Sequence, residues 1–140
     1  MNEYLYVLKH YATFTGRARR REYWMFSLIT SLITLGLELL MLPLGLNLFA
    51  PSTNTDFQGV SPLAFVLLAL LVLYTLGSFV PYLAVGVRRL HDAGYSGWFT
   101  LIGLIPLVGG LVLLFFLIKD STPGDNRWGH NPKTQSSFVV

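Results

Sequence analysis

The chain is expected to fold as an all-α, polytopic membrane helical bundle with about three hydrophobic segments. Three observations predict this. Of 140 residues, 53% are hydrophobic and only 12% are charged, about half the charge of an average soluble domain. The apolar residues gather into long runs: Tyr23–Leu46, interrupted only by Glu38, then Pro62–Val87, then Trp98–Ile118. Every lysine and arginine lies outside those runs. A hydrocarbon core takes about 20 apolar residues in helical form. Lipid offers the backbone no partner but itself, so helices are the expected solution. The length is that of a single domain.

The segments follow in order. Residues 1–22 form an amphipathic and basic entry. Asn2 can cap a short helix ending near Thr13, with Tyr4, Leu5, Leu8, Tyr11 and Ala12 on one face, suited to the membrane interface. Residues 23–46 are the first span. It begins after 22 residues and exceeds the roughly 7–15 residues of a signal-peptide core, so it reads as an uncleaved anchor, with Leu48-Phe49-Ala50 only a faint cleavage pattern. Residues 47–61 carry no lysine or arginine and hold turn formers such as Pro51, Asn54 and Gly59. Residues 62–87 are the second span, 88–97 a polar clasp, and 119–140 a polar tail of turns whose end, Ser136–Val140, frays.

The cations set the orientation. Lys9, Arg17, Arg19, Arg20 and Arg21 precede the first span, and Arg88 and Arg89 follow the second. The positive-inside rule places the N-terminus and the clasp in the cytoplasm and the 47–61 loop outside. Residues 98–118 admit two readings. Pro106, Gly109 and Gly110 interrupt the run, and proline removes a helix hydrogen bond. A single kinked span accords with the frequency of proline in transmembrane helices. A re-entrant hairpin would instead bring Lys119, Arg127 and Lys133 to the same side as the other cations.

The clasp concentrates the chemistry. Arg88, Arg89, His91, Asp92, Gly94, Ser96, Gly97 and Trp98 fall within eleven residues. Arg88 and Asp92 have the i, i+4 spacing of a helix pair. Adjacent His91 and Asp92 diverge on a helix and make no ready dyad. The cations suit a helix C-terminus, which Gly94 would end. Arg17, Arg19, Arg20 and Arg21 suit anionic headgroups, at about 1 kcal/mol per cation. Glu22, if buried, calls for Arg88 or Arg89 as its partner. Within the spans, Ser27, Ser31, Thr34 and Glu38 form one polar stripe, and Thr75, Ser78, Tyr82 and Gly86 another. Such stripes serve helix packing, or a hydrophilic path with Glu38 as its ionisable group.

Several motifs then group together. Phe14-Thr15-Gly16-Arg17-Ala18-Arg19-Arg20-Arg21-Glu22-Tyr23-Trp24-Met25-Phe26 opens the pattern. Arg88-Arg89-Leu90-His91-Asp92-Ala93-Gly94-Tyr95-Ser96-Gly97-Trp98, Ile105-Pro106 with Gly109, and Gly124-Asp125-Asn126-Arg127-Trp128-Gly129 continue it. Together they resemble the domain of unknown function 805 family, small bacterial inner-membrane proteins. Arg21, Phe99 and His130 depart mildly from that pattern. The resemblance implies a compartment and a fold but no activity. It adds Gly16, Arg17, Arg20, Trp24 and Asn126 to the clasp as candidates.

The expected function is non-enzymatic: binding of membrane lipids through anionic headgroups, or of a membrane-protein partner or a second copy of the chain, at the clasp. Transport along the Glu38, Thr34, Ser78 and Tyr82 stripes is the alternative, and catalysis by His91 and Asp92 a third reading. No cofactor is expected. Without cysteine, and with His10, His91 and His130 far apart, no metal site is expected either. The basic run lacks an aromatic platform away from lipid, which argues against nucleic acid.

Overall fold

The computed structural model describes residues 2–44 and 61–135. Residues 47–60 of the loop expected at 47–61, with its faint cleavage pattern, and the frayed end at 136–140 lie outside the described residues. Among the described residues the chain forms helices and turns and no strand: α1 (Asn2–Lys9), α2 (Arg20–Met41), α3 (Pro62–Asp92), α4 (Val108–Ile118) and α5 (Pro132–Gln135). Two 3-10 helices, Leu42–Leu44 and Gly97–Leu104, complete them. The stretches Arg20–Leu44 and Pro62–Asp92, of 25 and 31 residues, are long and apolar enough to cross a membrane. At 1.5 Å per residue α3 is about 46 Å long. That exceeds a hydrocarbon core of about 30 Å, so the helix can span and still carry Arg88–Asp92 clear of the acyl chains.

Two compact units divide the chain. One comprises Leu28–Phe79. There Ser61 opens α3 by accepting the Ala64 N–H at 2.8 Å, and its own N–H reaches the Leu44 carbonyl at 3.0 Å. Met41, Ala64, Leu71 and Ser78 are buried, while Leu73 and Leu76 stand exposed. This outward apolar surface is what lipid, not water, would cover. Thr34 donates to the carbonyls of Thr30 and Ser31, at 3.2 and 3.0 Å. Thr75 donates to Leu71 at 2.7 Å and Ser78 to Tyr74. Thr34, Thr75 and Ser78 thus satisfy their hydroxyls on their own helices.

The other unit comprises Met1–Ser27 and Val80–Val140. Its core holds Val7, Ala18, Tyr23, Phe26, Val85, Leu90 and Leu117. Helix α1 stops at Lys9 rather than near Thr13. It packs through Tyr4, Val7 and Leu8, the i, i+3, i+4 face, with Tyr4 stacked 5.1 Å from Phe26. Leu5 and Tyr11, expected on that face, are exposed, because 100° per residue carries Leu5 off the side that Val7 occupies.

Residues 97–118 form a hairpin, which excludes the single kinked span. Its first arm starts at Gly97, packed on Val87 and His91 at the end of α3. Its second arm returns there, where Arg89 donates to the carbonyls of Leu117, at 3.1 Å, and Lys119. Each arm is about 16 Å long, from rises of roughly 2.0 and 1.5 Å per residue. Each arm is therefore about half as long as a 30 Å core is thick. Pro106 breaks the run, and Leu107 takes the left-handed φ of 65° at the tip, 93% exposed. Gly109 is buried and lies so close to the Ile102 carbonyl that a methyl group there would overlap it. That close approach allows the arms to pack.

Candidate functional site

The site is built around Asp92, the last residue of α3. Its carboxylate is fully buried between two guanidinium groups. Arg17 Nε donates to Oδ1 at 2.9 Å and Arg89 Nη1 to Oδ2 at 2.8 Å. Ser121 Oγ adds a third donor to Oδ2 at 2.5 Å. A buried carboxylate so supplied recovers much of its lost hydration. The i, i+4 partnership expected with Arg88 does not form. Arg89, at i+3, and the distant Arg17 take its place.

The arginines are satisfied in turn by backbone carbonyls. Arg17 donates to Thr122 and Gly124, each at 2.8 Å. Arg89 donates to Leu117 and Lys119. The Thr122 N–H returns a bond to the Asp92 carbonyl at 2.9 Å. Four segments thus meet on one ion cluster: the entry to α2, the end of α3, the end of α4 and the tail.

His91 points another way. Its Nδ1 lies 3.2 Å from the Gly16 carbonyl, an arrangement that needs the proton on that nitrogen. Its ring stacks on Trp128 at 4.7 Å and 11°, and Arg127 also lies over the Trp128 ring at 4.0 Å. Asn126 Nδ2 reaches the His91 carbonyl at 3.0 Å, and Asn126 Oδ1 accepts the Trp128 N–H at 3.0 Å. The His91 ring and the Asp92 carboxylate therefore have different partners, joined only at a distance through Asn126 and Thr122.

Gly94 ends α3 with φ at 88°, and the Tyr95 N–H reaches back to the Leu90 carbonyl at 2.9 Å, a Schellman-type closure. A Cβ at Gly94 would also stand 2.8 Å from the Thr122 methyl. Gly94→Ala is expected to cost about 1–3 kcal/mol from the left-handed backbone alone, read as a lower thermal unfolding midpoint in detergent.

Other candidates fall at the margin. Arg20 Nε donates to the Lys119 carbonyl at 3.2 Å, and its Nη2 lies 3.8 Å from Asp120. Glu22 accepts the Arg19 N–H and feels the charge of Arg88, yet no ion pair joins it to Arg88 or Arg89 among the described residues. Arg88 is itself buried, with Nε and Nη2 lacking hydrogen-bond partners. Ser96 accepts the Phe99 N–H at 3.1 Å and opens the hairpin. Trp24 and Trp98 are exposed and outside the network. Tyr82 meets the Tyr23 hydroxyl at 3.3 Å, and Glu38 sits half-buried in the other unit.

Sequence reasoning missed Ser121, Thr122 and Trp128. The Gly124–Gly129 motif was the one available signal, since it flagged Asn126. In this tail, the Lys133 hydrogen bond holds the Asp120 carboxyl below its usual range, and His130 does the same for Asp125. Both carboxylates are exposed, so these contacts add little stability.

The fold and site define a helical membrane protein with a buried arginine–aspartate lock joining its N-terminal segment, its longest helix, a half-length hairpin and its tail. The chain belongs to the family described as Protein of unknown function (DUF805), whose model matches residues 11–130. It is 42% identical over 137 residues to inner membrane protein YhaI of Escherichia coli (strain K12), covering 98% of this chain and 100% of that protein. It is 40% identical over 135 residues to inner membrane protein YhaH of the same strain, covering 96% and 99%. No solved structure matches it.

Proposed function

We propose that the protein is a non-enzymatic component of a bacterial inner membrane that gathers anionic lipid headgroups at its cytoplasmic face. In this reading the arginine–aspartate lock is structural, and the exposed cations around it bind. One observation carries the reading: all ten lysines and arginines belong to the compact unit that holds the lock, against five aspartates and glutamates, and none to the other unit. The names of the Escherichia coli relatives support the compartment. The positive-inside rule supports a cytoplasmic N-terminus, clasp and tail. The lock itself has little to offer a ligand, since Arg17, Arg89 and Asp92 are occupied by one another and by carbonyls.

Transport along the stripes has less behind it, because Thr34, Thr75 and Ser78 spend their hydroxyls on their own helices. Catalysis has less as well, because the His91 ring and the Asp92 carboxylate share no hydrogen bond.

Arg21, 76% exposed beside Glu3, and Arg127 are two of the exposed cations and the ones to remove. In nanodiscs of mixed zwitterionic and anionic phospholipid, the wild-type chain is expected to enrich the anionic lipid around itself. Arg21→Gln and Arg127→Gln should each lower that enrichment by up to about fivefold, the equivalent of roughly 1 kcal/mol per cation. Enrichment unchanged in the double variant would reject the headgroup reading and leave a protein partner at the clasp as the better one.

A further inference from the structure

Two cavities of similar size share Trp128 in their walls. One, of about 530 Å³, is polar in part, with Arg17, Arg19, Glu22 and His130 among its walls. The other, of about 580 Å³, is an apolar groove between α3 and the first hairpin arm, walled by Leu83, Val87, Trp98 and Leu101. All of these residues belong to one compact unit. We infer that the groove holds one acyl chain of a membrane phospholipid, with its phosphate at the Trp128 end, a proposal that rests on the headgroup reading above.

Direction comes first. The groove's wall on α3 runs from His91 to Leu83, eight residues or about 12 Å along the helix axis. A groove parallel to a membrane-crossing helix is parallel to the lipid chains.

Size comes second. The groove has about 580 Å³ over that length, room for an acyl chain.

Polarity comes third. Thr100 lines the groove with His91 and Ser96, and its buried hydroxyl has no hydrogen-bond partner among the described residues. It lies three residues beyond Gly97, about 6 Å down the 3-10 arm. Rotation about χ1 would turn this donor toward an ester carbonyl just below a headgroup.

Charge comes last. Arg127 is exposed and held against Trp128 at 4.0 Å, so a cation marks the polar end. Trp98, 79% exposed at the rim, has the amphipathic ring that favours the headgroup level.

The full chain, extracted in a mild detergent and examined by native mass spectrometry, is expected to retain one phospholipid per chain after the loosely held lipids are gone. Leu101→Trp and, independently, Leu83→Phe fill the groove from opposite walls. Each should lower the occupied fraction at least fivefold at unchanged helicity. Thr100→Val should lower it two- to threefold, and Leu73→Phe, on an exposed apolar face elsewhere, should leave it unchanged. A wild-type chain that retains no lipid, or groove variants that retain it as wild type does, would overturn the proposal.

If a groove variant loses helicity, the wild-type chain decides. A phospholipid with a photoreactive group midway along its acyl chain should label residues 83–87 and 97–101. Labelling confined to outward positions such as Leu111 and Phe115 would refute it. Failure of the headgroup reading looks different: the lipid is retained, but Arg127→Gln does not change its headgroup preference.

Discussion

Asp92→Asn is expected to be the most damaging single substitution in the chain. It leaves two buried guanidinium groups, those of Arg17 and Arg89, facing each other without the intervening carboxylate. Removing one partner from a buried ion pair costs about 3–5 kcal/mol, because the remaining charge has no water to turn to. The asparagine still fills the space and can accept a hydrogen bond, so the loss reports charge rather than volume. The unfolding midpoint in detergent should fall sharply and the yield of monodisperse protein with it. Arg17→Met in the same background should return part of the loss, since it removes one of the stranded cations. A double variant whose loss equals the sum of the Asp92→Asn and Arg17→Met losses would mean that the pair is not coupled.

Gly109→Val comes second. The Ile102 carbonyl occupies the place where the side chain must begin, and Ile105 Cβ lies 3.1 Å from the same point. Backbone cannot give way as a flexible side chain can. The hairpin arms must separate or the tip must refold, and overpacking alone costs about 1–3 kcal/mol. The larger consequence is positional. Arms that no longer pack cannot deliver Leu117, Lys119 and Thr122 to the arginines, so the lock loses its carbonyl acceptors. Protease cleavage in the tail, near Lys119–Arg127, should become fast in Gly109→Val while staying slow in wild type. Gly110→Ala, where an added Cβ meets nothing, is the control and should behave as wild type.

Much of this architecture was legible before any coordinates. Length and charge placement marked α2 and α3, and the concentration of polar residues marked the end of α3. The pairing within the clasp was not legible. Local spacing favoured Arg88 for Asp92, but Arg17, 75 positions away in sequence, prevails because its remaining donors find the Thr122 and Gly124 carbonyls. Acceptors of that kind carry no side-chain signature. The same holds for the hairpin. Pro106 and Gly109 are compatible with a kink, and only the contact of Gly109 with the Ile102 backbone decides between the two. Trp128 had no visible purpose until its ring was found on His91.

The account turns on both halves of the lock lying on one face of the membrane. The chain has no cysteine, so single Arg21→Cys and Arg127→Cys variants can be probed with a membrane-impermeant maleimide in sealed vesicles of known orientation. Both positions should react from the cytoplasmic side and neither from the opposite one. Labelling of Arg21→Cys and Arg127→Cys from opposite sides would contradict the hairpin, the lock and the functional reading together.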